Sequence, residues 1–376
     1  MGVGMASTEC GKTFNITEEE VWKWLYTPAE EVLITAVLPI ISSIGFICNS
    51  LFLLVICCNH TMSSATNIYL AHLALADLSF LCLAALHHIL RYSASPVSSD
   101  NFFKNSAECV MFFVITNTAY FGSIALVTMV TVERYLSLCH PVRHLAIRSR
   151  QRTNRIVATC WLVGFVLSVL TVPRNAVHNI RCLHWPPDKE TYQKLPLTYS
   201  TCRAVKPWVA YYTGPLLNFP WLLAMIASSY MYVRIIQLLH KRRNTNSTMQ
   251  AARTTMRNQV AKMLIVNGVV FFFCQIPYSI LSLTGWICLI AQVPDPLYAA
   301  SIEKQLEWIA IVAQLINNSV NPVIYGVMSP HYRSAFLKLF KFQFKNQCRR
   351  RQVPLGLRHI CTKSLTTDHS TQETRL

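Results

Sequence analysis

Seven long apolar stretches, separated by short polar connections, constrain this chain more than any other feature. They run over roughly 32–57, 67–90, 107–138, 155–173, 208–239, 259–287 and 303–327. Each reaches the length of about 20 residues that a helix needs to cross the hydrocarbon of a bilayer. Inside lipid the backbone must satisfy its own polar groups, so seven stretches of this length are expected to be seven helices. Composition agrees: 14% of the 376 residues are charged, against about 25% in an ordinary soluble domain. The expected fold is an all-α membrane protein, a seven-transmembrane helix bundle. The first twenty residues, MGVGMASTECGKTFNITEEE, lack the basic start and apolar centre of a cleavable signal. The first apolar stretch is therefore expected to insert as an uncleaved anchor.

Orientation follows from lysine and arginine. The odd-numbered connections and the C-terminal tail together carry roughly twice as many as the N-terminus and the even-numbered connections, and the richer side is the cytoplasm. An extracellular N-terminal tail (1–31) is thus expected to precede the bundle (32–328), a short amphipathic eighth helix (329–345) and a disordered cytoplasmic tail (346–376). The net charge of +17 is dispersed between apolar segments and along the tail, which argues against a nucleic-acid partner. Asn15-Ile16-Thr17 is an acceptor for glycosylation on the outer side. Cys10, Cys109, Cys182 and Cys202 also fall outside, where an oxidising environment favours two disulfides. Spacing leaves their connectivity open. No Cys/His pattern of zinc-ligand spacing occurs, so no metal centre is expected.

Polar residues inside the spans carry the functional information. Asp77 sits at mid-depth in LALADLSFL, and an ionisable group there belongs to the bundle interior and to function. Span seven supplies polar neighbours in Asn317, Asn318, Ser319 and Asn321, while Pro322 removes a backbone donor and permits a kink. Adjacent opposite charges, Glu133-Arg134, end the third apolar run. A seven-helix transporter or pump is the rival class. It requires a chain of ionisable groups through the membrane, and only Asp77 lies deep. Inverted repeats with broken helices, the other mark of transporters, do not appear.

These residues resemble the motifs of the rhodopsin-like G-protein-coupled receptors. The resemblance rests on Asn49, NIYLAHLALAD, Glu133-Arg134-Tyr135, Trp161, Phe271…Cys274…Pro277 and Asn321-Pro322-Val323-Ile324-Tyr325, in order, one set per span. It covers about residues 30–345. It implies a plasma-membrane receptor that exchanges helix packings and catalyses no covalent chemistry. By resemblance, Arg134 is held by the neighbouring acid at rest and released to receive a heterotrimeric G protein. Tyr230 and Tyr325 would swing in to stabilise the open form, and Val142 would be the apolar knob that docks on the G protein. Asp77, Ser123, Asn317, Asn318 and Asn321 resemble the family's sodium pocket, so allosteric Na+ is the one ion implied. Cys109, 25 residues before Arg134, matches the disulfide cysteine heading span three. Its implied partner lies in the second extracellular loop, Cys202 first and Cys182 as the alternative.

Three departures stand out. Gln275 replaces the tryptophan usual in span six, and can hydrogen-bond toward Asn317 or Asn318. Pro220 lies ten residues before Tyr230 rather than eight, and Cys48 precedes Asn49 where glycine is usual. Thr116 stands where amine receptors carry an aspartate, and Leu315 where opsins carry a lysine. The expected ligand site is His87, His88, Arg91, Thr116, Asn117, Tyr120, Arg203, Gln275, Tyr278, Ser282, Glu307, Trp308 and Gln314. This mixture of charged, amide and aromatic groups suits a peptide. RNQVAKMLIV and NPVIYGVMSPHYRSAF resemble the branch that includes thyrotropin-releasing hormone, neuromedin U and ghrelin receptors, whose members commonly signal through Gq and calcium. Asn117 and Ile311 replace the tyrosine and arginine of thyrotropin-releasing hormone receptors, which argues against that tripeptide. A receptor active without its own agonist is the alternative that Gln275 raises.

Beyond span seven, Tyr332, Phe336, Leu339 and Phe340 recur at helical spacing among basic residues, the pattern of an interfacial amphipathic helix. Cys348 beside Arg349-Arg350-Arg351 is an expected palmitoylation site. The Ser/Thr-rich end suits receptor kinases and arrestin. Thr374 and Leu376 fit capture of the C-terminus by a PDZ domain.

Overall fold

The computed structural model describes residues 12–58, 64–187, 189–243, 251–299, 302–330 and 332–337. Among the described residues, six helices are long and apolar enough to cross a membrane: Pro28–Cys58, Ala65–Ala94, Ser106–Cys139, Arg150–Arg174, Val209–Lys241 and Asn258–Ala291. A further helix, Glu303–Met328, completes a seven-helix bundle as span seven. It is less apolar because Gln314, Asn317, Asn318 and Asn321 punctuate it, and the three asparagines are buried within the bundle. Polarity that lowers the hydropathy of this span is spent on interhelical contacts rather than exposed to lipid.

Caps written in the sequence set several helix starts. Ser64, Asn105 and Ser149 each accept a backbone N–H three residues on, as N-cap residues do. Span one begins at Pro28 rather than near 32 because Thr27 and Glu30 form a capping box, each bonding the other's backbone N–H. The same span makes one π-helical turn over Leu33–Val37. Between spans three and four, Pro141 starts a short helix, Pro141–Ile147. Its missing N–H costs nothing at that first position.

The outer face carries a small sheet that apolar periodicity did not reveal. Strand β1, Thr13–Asn15, joins the hairpin of β2, Val177–His184, and β3, Thr198–Arg203. The β1–β2 pairing is parallel, with Thr13 opposite Cys182, and the β2–β3 pairing is antiparallel. Ile16, Val21, Val97, Leu183 and Tyr199 form a core beneath it. The described part of the N-terminal tail is therefore folded onto the connection between spans four and five. Asn15 itself points outward and is exposed, compatible with its sequon.

The eighth helix is only partly within the described residues: 332–337 are helical, with Tyr332 buried and Phe336 against the main core. Leu339, Phe340, Cys348 and the Thr374–Leu376 terminus lie outside the described residues.

Candidate functional site

Three polar centres lie along the bundle. At the outer mouth, Cys109 and Cys202 are disulfide-bonded, tying the hairpin to span three as the first of the two alternatives required. Cys182 is disulfide-bonded as well. Spans two and seven bring His87, His88, Arg91, Glu307 and Trp308 together here. His87 stacks on Phe112 and Phe103, with ring centres 4.5 and 5.5 Å away. His88 lies 5.4 Å from the Trp308 ring. Arg91 donates to the backbone carbonyls of Ser98 and Asp100, so it braces the first extracellular loop. Glu307 is exposed, one residue before Trp308 on span seven. Arg203, at the end of β3, is exposed beside the disulfide.

Deeper in the bundle the expected residues divide. Tyr120 and Tyr278 meet edge to face at 5.9 Å, and Gln314 donates to Gln275 at 3.3 Å. Asn318 donates to the Gln314 carbonyl at 2.7 Å. The expectation that Gln275 bonds toward Asn317 or Asn318 is thus corrected: Gln314, one turn nearer the outside, takes it up. Asn117 turns away to Thr171 of span four, 3.3 Å, and Thr116 bonds the Phe112 carbonyl of its own helix. Ser282 accepts from Asn218 across spans five and six at 2.9 Å.

The central layer is built around Asp77, which accepts from Asn321 at 2.7 Å. Ser123, Asn317 and Asn318 are buried. Asn49 donates to the carbonyls of Gly45 and Asn318, at 2.9 and 2.8 Å, clipping span one to span seven. The side-chain oxygens of Asn317 and Asn321 are buried with no hydrogen-bond partner among the described residues. A buried carboxylate together with buried hydroxyl and unpartnered amide oxygens offers the oxygen donors that a hard cation takes. These residues therefore fit a sodium ion.

At the cytoplasmic end, Glu133 is engaged by His144 at 2.7 Å and Arg152 at 3.9 Å. Arg134 reaches across to the Thr66 hydroxyl of span two. The acid is thus held by the loop helix and span four, a correction to the picture of an acid clasping its neighbouring arginine. The physical reason is reach: the loop helix brings the His144 ring directly onto the buried carboxylate. A cavity of about 340 Å³ opens here between spans two and three and the loop helix. Val142 is 81% exposed on that helix. Tyr135 lies against His140 at 5.4 Å. Pro322 and Tyr325 are buried, with the Tyr325 ring between Phe52 and Tyr332 at 5.1 and 5.8 Å. Tyr332 donates to Asn67, and burial pushes its phenol above the ordinary value.

Tyr230 requires a third correction. It is 59% exposed on the outside of span five, while Tyr232 is buried and bonded to the Thr131 hydroxyl at 2.9 Å. Pro215 and Pro220 both lie inside this uninterrupted helix, and the distance from a proline does not tell which tyrosine faces the bundle. Residue counting also missed His144, Arg152 and Thr66. The available signal was Pro141, which marks a helix start and places His144 three residues on, facing Glu133.

Residues 48–325 match the family described as 7 transmembrane receptor (rhodopsin family). Among curated proteins, neuromedin-U receptor 2 of Mus musculus is 28% identical over 352 residues, 86% of this chain and 80% of its own length. Galanin receptor 2a of Danio rerio is 24% identical over 327 residues, covering 85% and 80%. Growth hormone secretagogue receptor type 1 of Mus musculus is 23% identical over 321 residues, covering 84% and 82%.

Proposed function

The chain belongs to the rhodopsin family of seven-transmembrane receptors, and from that premise we propose a plasma-membrane receptor for an extracellular peptide, coupled to Gq and calcium release. The single observation that carries the peptide reading is the chemistry of the outer mouth. A carboxylate (Glu307), two imidazoles (His87 and His88) and an indole (Trp308) lie at the end of the bundle that also carries the three-stranded sheet. Peptides present backbone amides and termini that need several donors and acceptors at once. The relatives named for neuromedin-U, galanin and growth hormone secretagogues point the same way.

In this reading the N-terminus is outside, Asn15 carries a glycan, and agonist binding shifts the population toward a state open at the cytoplasmic end. Arg134, Tyr135, Asn321, Pro322 and Tyr325 form the coupling machinery, with Glu133 holding the resting arrangement through His144. Val142 docks on the G protein. A sodium ion held by Asp77, Ser123, Asn317, Asn318 and Asn321 would supply a compact positive charge that favours the inactive packing. Cys348 anchors the tail as a palmitoylated thiol. Receptor kinases and arrestin act on the Ser/Thr-rich end, and a PDZ domain takes the terminus.

One observation favours a second reading, a receptor signalling without its own agonist. The side chain of Arg134 reaches Thr66 while Glu133 is occupied elsewhere, and Gln275 has no bulky rotamer to flip. The test is calcium mobilisation and GTPγS exchange in cells expressing wild type or Arg134→Ala, screened against a neuropeptide library after surface expression is checked. A peptide response lost in the variant supports the first reading. High basal exchange abolished by the variant, with no peptide response, supports the second. Ion flux without GTPγS exchange would overturn both.

A further inference from the structure

Strand β2 buries an arginine. Arg181 is 6% exposed, on the face of the sheet that also carries Tyr199. Its guanidinium carbon lies 5.2 Å from the centre of the Phe14 ring, and Nη1 donates to the Tyr199 hydroxyl at 3.4 Å. Tyr199 itself belongs to the apolar core that Ile16, Val21, Val97 and Leu183 complete. Nε of Arg181 is buried with no hydrogen-bond partner among the described residues, and so is the Thr201 hydroxyl. The register sets these two groups on one face, because Arg181 pairs with Tyr199 and Asn179 with Thr201. Diagonal neighbours of this kind are within reach of a long side chain.

No carboxylate among the described residues pairs with Arg181. Glu18 is bound by Lys189 at 2.6 Å, and Asp100 accepts from the backbone N–H and the hydroxyl of Ser200. A second cation lies close by: Lys12 Nζ is 5.1 Å from the centre of the same Phe14 ring. A charge buried without its partner is strongly destabilising. A guanidinium cannot escape by losing its proton, as a buried ammonium does. The face of Phe14 offsets part of the cost but carries no net charge. Water could satisfy the two free polar groups, yet it would leave the charge uncompensated. What the surroundings require is an anion that accepts from two donors and is small enough to sit between buried side chains.

We infer that Arg181 and Thr201 hold a small inorganic anion, chloride in extracellular fluid, as a counter-ion within the outer sheet. The Arg181 Nε–H and the Thr201 O–H donate to it, and Lys12 adds its charge to the attraction. Arg181 touches Phe14 of β1 and Tyr199 of β3, so its neutralisation fastens the N-terminal strand to the hairpin. The inference does not depend on what agonist the receptor takes.

The experiment is thermal unfolding of the purified full-length chain at fixed sodium and ionic strength, with chloride replaced stepwise by gluconate, an anion too bulky to enter. The midpoint should rise with chloride and follow a binding curve, as ligation of the folded state requires. Arg181→Gln should abolish this response. Thr201→Val should raise the half-effective chloride concentration about fivefold, the equivalent of one ordinary hydrogen bond. Equal midpoints of wild type in chloride and gluconate would overturn the inference. So would a chloride response unchanged in folded Arg181→Gln, which would mean an adventitious ion only. Chloride NMR linewidths need wild type alone: broadening by the receptor that bromide reverses is expected. Its absence would overturn the inference even where neither variant folds.

Discussion

Tyr230 and Tyr232 stand two residues apart in span five and face opposite surroundings, one exposed and one bonded to Thr131. Removing the Tyr232 hydroxyl should cost about 1 kcal/mol, the usual net value of one hydrogen bond, more where the abandoned partner stays buried. Thermal unfolding of purified receptor should therefore show Tyr232→Phe destabilised and Tyr230→Phe unchanged. Equal effects would refute the assignment of the inward position. Gly45 makes a sharper case. A Cβ placed there would lie 2.2 Å from the Ser319 Oγ and 2.8 Å from both the Ser319 Cβ and a Leu81 methyl. Ser319 and Leu81 are both buried, so neither side chain can simply swing away. Overpacking of this kind costs about 1–3 kcal/mol. Gly45→Ala should lower the unfolding temperature accordingly, and an unshifted midpoint would mean that spans one and seven are less closely packed than described.

Disulfides and caps act at the scale of elements. Non-reducing peptide mapping should recover Cys109 joined to Cys202, and should find Cys182 joined to Cys10, the remaining cysteine on the outer side. Losing a native disulfide commonly costs about 2–5 kcal/mol, so Cys202→Ser should reduce surface expression sharply. Recovery of Cys182 as a free thiol would defeat the second pairing. Much of this level was legible beforehand. The seven spans follow from apolar length, and Ser64, Asn105 and Ser149 mark helix starts in the ordinary way. What stayed hidden depends on distant partners. Thr13–Asn15 has no strand pattern of its own, because its ladder comes from β2, more than 150 residues away. His144 looked like one more polar residue of a cytoplasmic loop until the loop helix brought it to Glu133. Arg91 read as a ligand contact because a charge near the mouth suggests one, and two of its donors go to carbonyls of the adjoining loop. Periodicity reports which face of a helix is apolar, but not which side chain across the bundle will claim a polar group.

For the whole molecule, the central layer predicts how the two ends communicate. Asp77 and Asn321 join spans two and seven, and Asn49 adds span one. An ion seated among them would hold one packing of these spans. An opening at the cytoplasmic end would have to rearrange Asn321 and Tyr325, which lie one turn apart on span seven. Ion and agonist therefore compete through the same helices. By linkage, sodium should weaken agonist affinity by the factor by which agonist weakens sodium, within the usual coupling of about 1–3 kcal/mol, or 5–150-fold. Replacing sodium by N-methylglucamine at constant ionic strength keeps charge screening fixed and isolates the specific effect. Basal GTPγS exchange should then rise in wild-type membranes. In Asp77→Asn the carboxylate is lost while an amide of similar shape remains, so exchange should no longer respond to sodium. An Asp77→Asn receptor that still answers to sodium as wild type does would remove the ion from this layer. Its buried amide oxygens would then require ordered water or a neighbouring N–H or O–H as donor, and the coupling between mouth and cytoplasm would have to run through the Gln275–Gln314 pair instead.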